Sequence, residues 1–269
     1  MKDIMGKGQY MKLFNPTTLE GWLQPHSREW YKQLSDFQGE YIYPWNSTLT
    51  EPNGEAIFDK EVAQIIAGKK VLDVGCGHGA FTHQYSLLAK EIVGFDVTDN
   101  FIQAGIENKK SNVSFVVGDT KHGLPFKADE FDCAYIRKGP TSAYLYLNKV
   151  IKKNGRILGL HPGDESGKEL SLLFPNLFDY SQGTPILDAL NQRLDVSEFS
   201  YSEIDVINSI EYIHSPLDIL KLRCFGQHPA IYELLKEKNL DEIATIFEQN
   251  ATPDGLSITF SRYIVRAIV

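Results

Sequence analysis

The chain has 269 residues, 42% hydrophobic and 23% charged, which is the composition of a globular protein and not of a disordered or fibrous one. Its 35 acidic residues outnumber 27 basic ones. The formal net charge of −8 argues against a broad, sequence-independent grip on nucleic acid, which rests on Lys and Arg neutralising phosphates. Three scattered cysteines, Cys76, Cys133 and Cys224, suit neither a disulfide framework nor a zinc site and point to a reducing compartment.

Met1–Lys12 lacks the apolar stretch of a secretory signal, and no run approaches the ~18 apolar residues of a membrane span. The expectation is a cytoplasmic protein with no membrane attachment. Residues 1–55 hold all three tryptophans, Trp22, Trp30 and Trp45, and read as a cap folded back on the rest, since free tails are poor in aromatics. Residues 56–269 read as the main domain. Glu55–Ala67 has helical spacing of Phe58, Val62, Ile65 and Ile66, and Gly68 stands where a helix-ending glycine would.

Strand and helix patterns then alternate. Strands are expected at Val71–Val74, Ile92–Val97, Val113–Val117, Phe131–Ile136 and Arg156–Leu160. Helices are expected at Ala80 to about Lys90, Asp99–Asn108 and Thr141–Lys153, the last closed by Asn154-Gly155. Lys109-Lys110 and Lys152-Lys153 read as solvated helix ends. This rhythm implies right-handed crossovers and a largely parallel sheet covered on both faces, an α/β fold. Beyond it come helices at Glu169–Phe174 and Pro185–Leu194 and a strand at Glu203–Ile213. A helical insertion over about 216–250 opens with Ser215 as cap and Pro216 in the first turn, and is read as helices to Phe225, Pro229–Lys238 and Leu240–Gln249. Leu256–Val269 is a final strand.

The chemistry concentrates at strand ends. Asp73-Val74-Gly75-Cys76-Gly77-His78-Gly79 carries a buried strand into glycines and then a helix, a device for bringing bare backbone and free N–H groups to a ligand. Gly75-x-Gly77-x-x-Ala80 also fits the dinucleotide pattern. Asp73, two residues before the first glycine, would repel a pyrophosphate but suits the ammonium of a methionine moiety. Asp96, with Val97 after it, ends the second strand, where a carboxylate can accept both ribose hydroxyls. Asp119 and Thr120 follow Gly118 past the third strand, where an acid can accept from an adenine amino group. The fourth strand ends at Arg137-Lys138-Gly139-Pro140.

In order and spacing, Asp73-x-Gly75-x-Gly77-x-Gly79, Asp96, Gly118-Asp119 and Leu124-Pro125-Phe126…Phe131-Asp132 resemble the class I S-adenosylmethionine-dependent methyltransferases, most like the type 11 subgroup. The resemblance covers roughly residues 55–161. It implies a Rossmann-like seven-stranded sheet, order 3-2-1-4-5-7-6, with only the last strand antiparallel, and S-adenosyl-L-methionine as cofactor. Carried over, Asp73, Gly75, Cys76 and Gly77 would line the methionine half, Asp96 and Val97 the ribose, and Asp119 the adenine. Thr120 and the backbone at Arg137 would flank the cofactor. The Arg137–Pro140 loop lacks the Asn/Asp-Pro-Pro-aromatic tetrad of amine-methylating enzymes acting on nucleobases, and no metal-binding set of acids is evident, so no metal is expected.

His161, after the fifth strand, is a candidate base at the rim, with a hydrogen-bonded structural histidine as the favoured reading. His78 reads as a solvent-side loop residue, and small size accounts for Cys76. The expected acceptor is a small molecule, given the acidity and the aromatic cap. Methyl transfer to RNA or protein stays open. So do a nicotinamide-dependent oxidoreductase and a cofactor-binding protein without turnover.

Overall fold

A computed structural model describes residues 13–108 and 110–269. The readings placed on Met1–Lys12 and on Lys109 lie outside the described residues. Strands β1 (Ser47–Leu49), β2 (Lys70–Val74), β3 (Glu91–Asp96), β4 (Val113–Val117), β5 (Phe131–Arg137), β6 (Ile151–Pro162), β7 (Tyr201–Ile213) and β8 (Leu256–Ile268) form one sheet. Its order is β1-β7-β8-β6-β5-β2-β3-β4.

The α/β class holds, but the sheet has eight strands and not seven. With β1 set aside, the other seven lie in the expected order. β8 runs antiparallel to β6 and β7, and β1 antiparallel to β7, so the sheet is mixed. β1 comes from the aromatic N-terminal stretch and pairs only Ser47–Leu49 with Glu211–Ile213. Three residues leave no periodicity to read.

Alternation along each strand decides what meets which helix layer. Leu72, Val74, Val93, Phe95, Ala134 and Ile136 pack under α5 (Tyr144–Val150) and α7 (Pro185–Asp195), which follows the short α6 (Lys168–Leu173). Val71, Ile92, Cys133, Tyr135 and Leu158 pack on the opposite face with α2 (Gly54–Ile66) and Tyr85 of α3 (Ala80–Tyr85). By the same count of two, Asp73 and Asp96 project to the α2 and α3 side, at the carboxyl ends of adjacent strands. His161 projects to the α5 side.

Three boundaries differ from expectation, and the first is that the helix expected from Ala80 to about Lys90 ends at Tyr85. The helix read as Thr141–Lys153 stops at Val150, and Lys152-Lys153 lie in β6, where the pairing with β5 shifts register between Phe131 and Cys133. Asn154 adopts a left-handed conformation inside that irregularity, so the Asn-Gly pair marks a bulge and not a helix end. The two helices expected after Pro229 are one, α9 (Pro229–Asn250). Asn239, which looks like a break, is buried in its middle and clamps Phe14 by accepting from its N–H at 2.7 Å and donating to its C=O at 3.1 Å.

The N-terminal stretch is tied down elsewhere as well. α1 (Arg28–Gln38) opens on Ser27, whose hydroxyl accepts from the Trp30 N–H, and lays Trp30 and Leu34 on Phe101 of α4 (Asp99–Glu107). The Trp30 indole donates to the Phe225 carbonyl at 3.0 Å, just past α8 (Pro216–Arg223). Cap and insertion thus meet beside the carboxyl ends of β3 and β4.

Candidate functional site

The glycine loop between β2 and α3 uses each glycine for a different reason. All three have positive φ: 77° at Gly75, 55° at Gly77 and 80° at Gly79. A Cβ on Gly75 would lie 2.6 Å from the Gly139 Cα and 2.7 Å from the Pro140 Cδ, so this glycine lets two strand-end loops touch backbone to backbone. A Cβ on Gly79 would lie 2.6 Å from the Phe115 ring. A Cβ on Gly77 would have no atom of the described residues within 4 Å. Gly77 is the one glycine of the three whose open side faces free space.

Asp96 holds that loop. Its Oδ2 accepts from the Gly77 N–H at 2.9 Å and its Oδ1 from the Thr98 N–H at 2.9 Å. Burial raises its pKa despite those two donors. Asp73 lies deeper, with Oδ2 accepting from the Thr82 and Tyr135 hydroxyls, each at 2.6 Å. Oδ1 takes no hydrogen bond from the described residues. Burial pushes this carboxyl up to about 7, against the pull of its two hydroxyl donors. Cys76 packs its sulfur against Gly94, as its small size suggests, and burial with Asp73 and Asp96 nearby pushes its thiol well up.

Asp119 stands at the other end of the rim, with Oδ1 accepting from the Lys121 N–H at 2.9 Å. That donor, followed by Arg28 of α1, holds its carboxyl below the usual range. Arg28 pairs with Oδ2. Val97, Gly118 and Asp119 line a cavity of about 530 Å³ that α1 roofs with Arg28 and Tyr31. Asp73, Asp96 and Asp119 therefore share one rim.

Other expected residues sit differently. Thr120 is buried and bonded to the Ser142 hydroxyl at 2.6 Å, so its side chain joins loops and does not line the cavity. The Arg137 guanidinium turns to α2, donating to Glu55 at 2.8 Å and Asp59 at 3.0 Å and stacking on Phe81; only its backbone remains at the rim. His161 is fully buried against α5, its Nε2 2.9 Å from the Tyr144 hydroxyl. Burial and the nearby Arg193 charge push it down to about 3. It is a core histidine, which corrects its candidacy as a rim base. Replacing it with Leu should cost about 1–3 kcal/mol of stability, through the Tyr144 hydroxyl left unpaired. Cofactor affinity measured by calorimetry should not change, and a loss of affinity in the folded variant would return it to the site.

His78 is not a bystander. Its Nδ1 accepts from the Tyr41 N–H at 3.1 Å and so fastens the N-terminal stretch over the glycine loop. That stretch brings in side chains whose role had no motif. Tyr41 lies with ring centroids 6.4 Å from Tyr31, 5.7 Å from Tyr43 and 5.2 Å from Phe225. Burial, then the neighbouring Asp96 charge, pushes Tyr31 up to about 12, so its phenol stays protonated. Lys138 adopts a left-handed φ of 61° at the end of β5 and sets its ammonium 4.8 Å from the Tyr43 ring centroid. Glu55 gathers Lys138, Arg137 and Arg262 at 3.1, 2.8 and 3.2 Å. Burial works to raise the Glu55 carboxyl, but the three cations outweigh it and hold it at about 2.

This sheet, with its glycine loop and strand-end acids, is similar to that of the class I S-adenosylmethionine-dependent methyltransferases. Residues 65–176 match the family described as "Methyltransferase domain". A ubiquinone/menaquinone biosynthesis C-methyltransferase of Pseudomonas paraeruginosa is 31% identical over 128 residues, covering 42% of this chain and 50% of that protein. A protein-L-isoaspartate O-methyltransferase of Myxococcus xanthus is 30% identical over 115 residues, 41% of this chain and 53% of that one. The chain thus spans about half the length of the curated relatives it matches. Among solved structures, a functionally unknown protein of Deinococcus radiodurans R1 superposes with a TM-score of 0.62 at 20% identity, covering 90% of this chain and 99% of that one. That likeness speaks for the fold alone.

Proposed function

We propose that the chain binds S-adenosyl-L-methionine along this rim and transfers its methyl group to a small-molecule acceptor. The observation that carries the reading is that Asp73, Asp96 and Asp119 stand at the carboxyl ends of three neighbouring strands, with Asp96 on the N–H of the open glycine, Gly77, and Val97 and Asp119 lining a cavity. The residues fit the cofactor. Asp96 spends one lone pair of each oxygen on a backbone N–H and keeps others for ribose hydroxyls. Asp73 Oδ1 is free to meet an ammonium. Val97 would flank the ribose and Asp119 the adenine, with Asp119 exchanging its Arg28 partner or sharing it.

When bound, the sulfonium supplies an already activated methyl. What remains for the chain is positioning, which can contribute on the order of 7–11 kcal/mol. Tyr31, Tyr41, Tyr43 and Phe225 wall one side of the acceptor space, and Lys138 brings a cation to its edge. With His161 buried and depressed, no histidine base is assigned. This favours an acceptor nucleophilic without one, or one whose proton leaves to solvent. The enclosing aromatic wall and the acidic chain favour a small acceptor. The quinone-biosynthesis relative supports this and the isoaspartate relative points to protein, so the two do not decide between them.

In the same reading, the described part of the N-terminal segment, residues 13–55, acts as cap and about 216–250 as insertion on the 56–269 domain. No described helix is long and apolar enough to cross a membrane. Cys76, Cys133 and Cys224 are unpaired thiols, which supports a cytoplasmic setting.

The test is incubation with methyl-labelled cofactor and a cell extract separated into small-molecule, RNA and protein fractions. Label is expected in the first. Label confined to RNA or protein overturns the acceptor class. Asp96→Ala should weaken cofactor binding by about 1.5–3 kcal/mol, the usual loss at a charged hydrogen bond, and reduce labelling at subsaturating cofactor in proportion. Unchanged calorimetric affinity in the folded variant would remove Asp96 from the site.

A further inference from the structure

The protein buries three guanidinium groups deeply and treats one of them differently. Arg137, with a side chain 9% exposed, donates to Glu55 and Asp59. Arg262, 8% exposed, donates to Glu55 and to the Ser261 carbonyl. Arg223, at the end of α8, has a side chain 10% exposed, yet its Nε and Nη2 are buried with no hydrogen-bond partner among the described residues. The carboxylate within reach, Asp179, stands 3.6 Å from Nη2, beyond hydrogen-bond length, and is itself 74% exposed.

An arginine cannot escape burial by losing its proton, so bare N–H groups in such a place carry an uncompensated cost. The Nε and Nη2 edge of a guanidinium is one of the forks that match two oxygens of a carboxylate or phosphate. Here the fork is flanked by rings. The guanidinium carbon lies 4.5 Å from the Trp22 ring centroid and 5.8 Å from that of Phe178. These walls lower the local dielectric and strengthen attraction to an anion that displaces Asp179. Trp22 reaches this place from a segment 201 positions earlier, so the arrangement belongs to the folded insertion and cap together.

We propose that Arg223, between Trp22 and Phe178, is an oxyanion subsite that takes the carboxylate or phosphate group of a small molecule. The proposal is independent of the cofactor reading, because none of its residues lies on the acidic rim. Asp179 is the subsite's weak internal competitor, and its removal should strengthen binding.

The test follows tryptophan fluorescence, with Trp30→Phe and Trp45→Phe to isolate Trp22, and calorimetry of the full chain with benzoate, phenyl phosphate and the neutral benzamide, at one fixed ionic strength. Saturable one-to-one binding of one or both anions, without binding of benzamide, is expected. The anion that binds identifies carboxylate or phosphate as the group taken. Arg223→Gln should weaken it at least tenfold. Asp179→Asn, at an exposed position that folding tolerates, should tighten it about two- to fivefold, the range of a weak exposed ion pair. An arginine that merely packs between rings predicts no tightening. Absence of saturable anion binding, equal affinity in Arg223→Gln, or no gain in Asp179→Asn each overturns the proposal.

Discussion

Gly75→Ala should destabilise the protein by about 3 kcal/mol or more, whereas Gly77→Ala should cost only about 1–2 kcal/mol and still abolish cofactor binding. Both positions have positive φ, where a Cβ alone costs about 1–2 kcal/mol. They part company in what that Cβ meets. At Gly75 it would stand 2.6 Å from the Gly139 backbone and 2.7 Å from Pro140, and overpacking of this kind adds about 1–3 kcal/mol. Neither loop can yield easily, since the Gly75 N–H donates to the Phe95 carbonyl and the Lys138 N–H to the Leu160 carbonyl. At Gly77 the new methyl would enter open space beside the Asp96 carboxylate. Chemical denaturation and calorimetric titration with S-adenosylhomocysteine on the same samples separate the two effects. Equal stability losses, or undiminished affinity in Gly77→Ala, would show that the open side is not where a ligand approaches.

Asp73→Asn should stabilise the cofactor-free protein at pH 8 while weakening cofactor binding tenfold or more. The folded-state pKa of about 7 exceeds the ordinary 3.8. Between about pH 4 and 7 the unfolded chain has therefore released this proton while the folded one still holds it. Stability from this group is present below pH 4 and is lost as pH rises to 7, by about 4 kcal/mol at most. Asparagine keeps an oxygen for Thr82 and Tyr135 and removes the buried charge. An ammonium at Oδ1 favours the ionised form, so wild-type affinity for S-adenosylhomocysteine should climb from pH 6 to pH 8. That climb should flatten in Asp73→Asn, with a loss set by a charged hydrogen bond of about 1.5–3 kcal/mol. Melting temperatures of the two proteins that fall in parallel across this range would refute the assignment.

Seven of the eight strands could be read from the sequence: β2, β3 and β5 as apolar runs buried by their neighbours, and β7, largely exposed or half-buried, from its alternation. β1 could not, because its three residues become a strand only through β7. Asn239 and Asn154-Gly155 misled for a common reason. A residue that ends helices when exposed can clamp another segment or fill a bulge when tertiary contacts reward it. At the site, the motif acids came together as their spacing implied. His161 was legible too: it alternates with Gly159 on the face that α5 covers, and a strict count by two places it in the core. Tyr31, Tyr41 and Tyr43 gave no signal beyond aromatic enrichment, since their meeting with Phe225 joins segments almost 200 positions apart. Glu55 looked like an ordinary first-turn acid, and only the fold gathers three cations on it.

The most direct measurement is calorimetric titration of the purified chain with S-adenosylhomocysteine and, separately, with NADH. Saturable one-site binding of the thioether nucleoside, lost in Gly77→Ala and weakened in Asp96→Ala, is the predicted result. Binding of NADH with no heat from S-adenosylhomocysteine would contradict it.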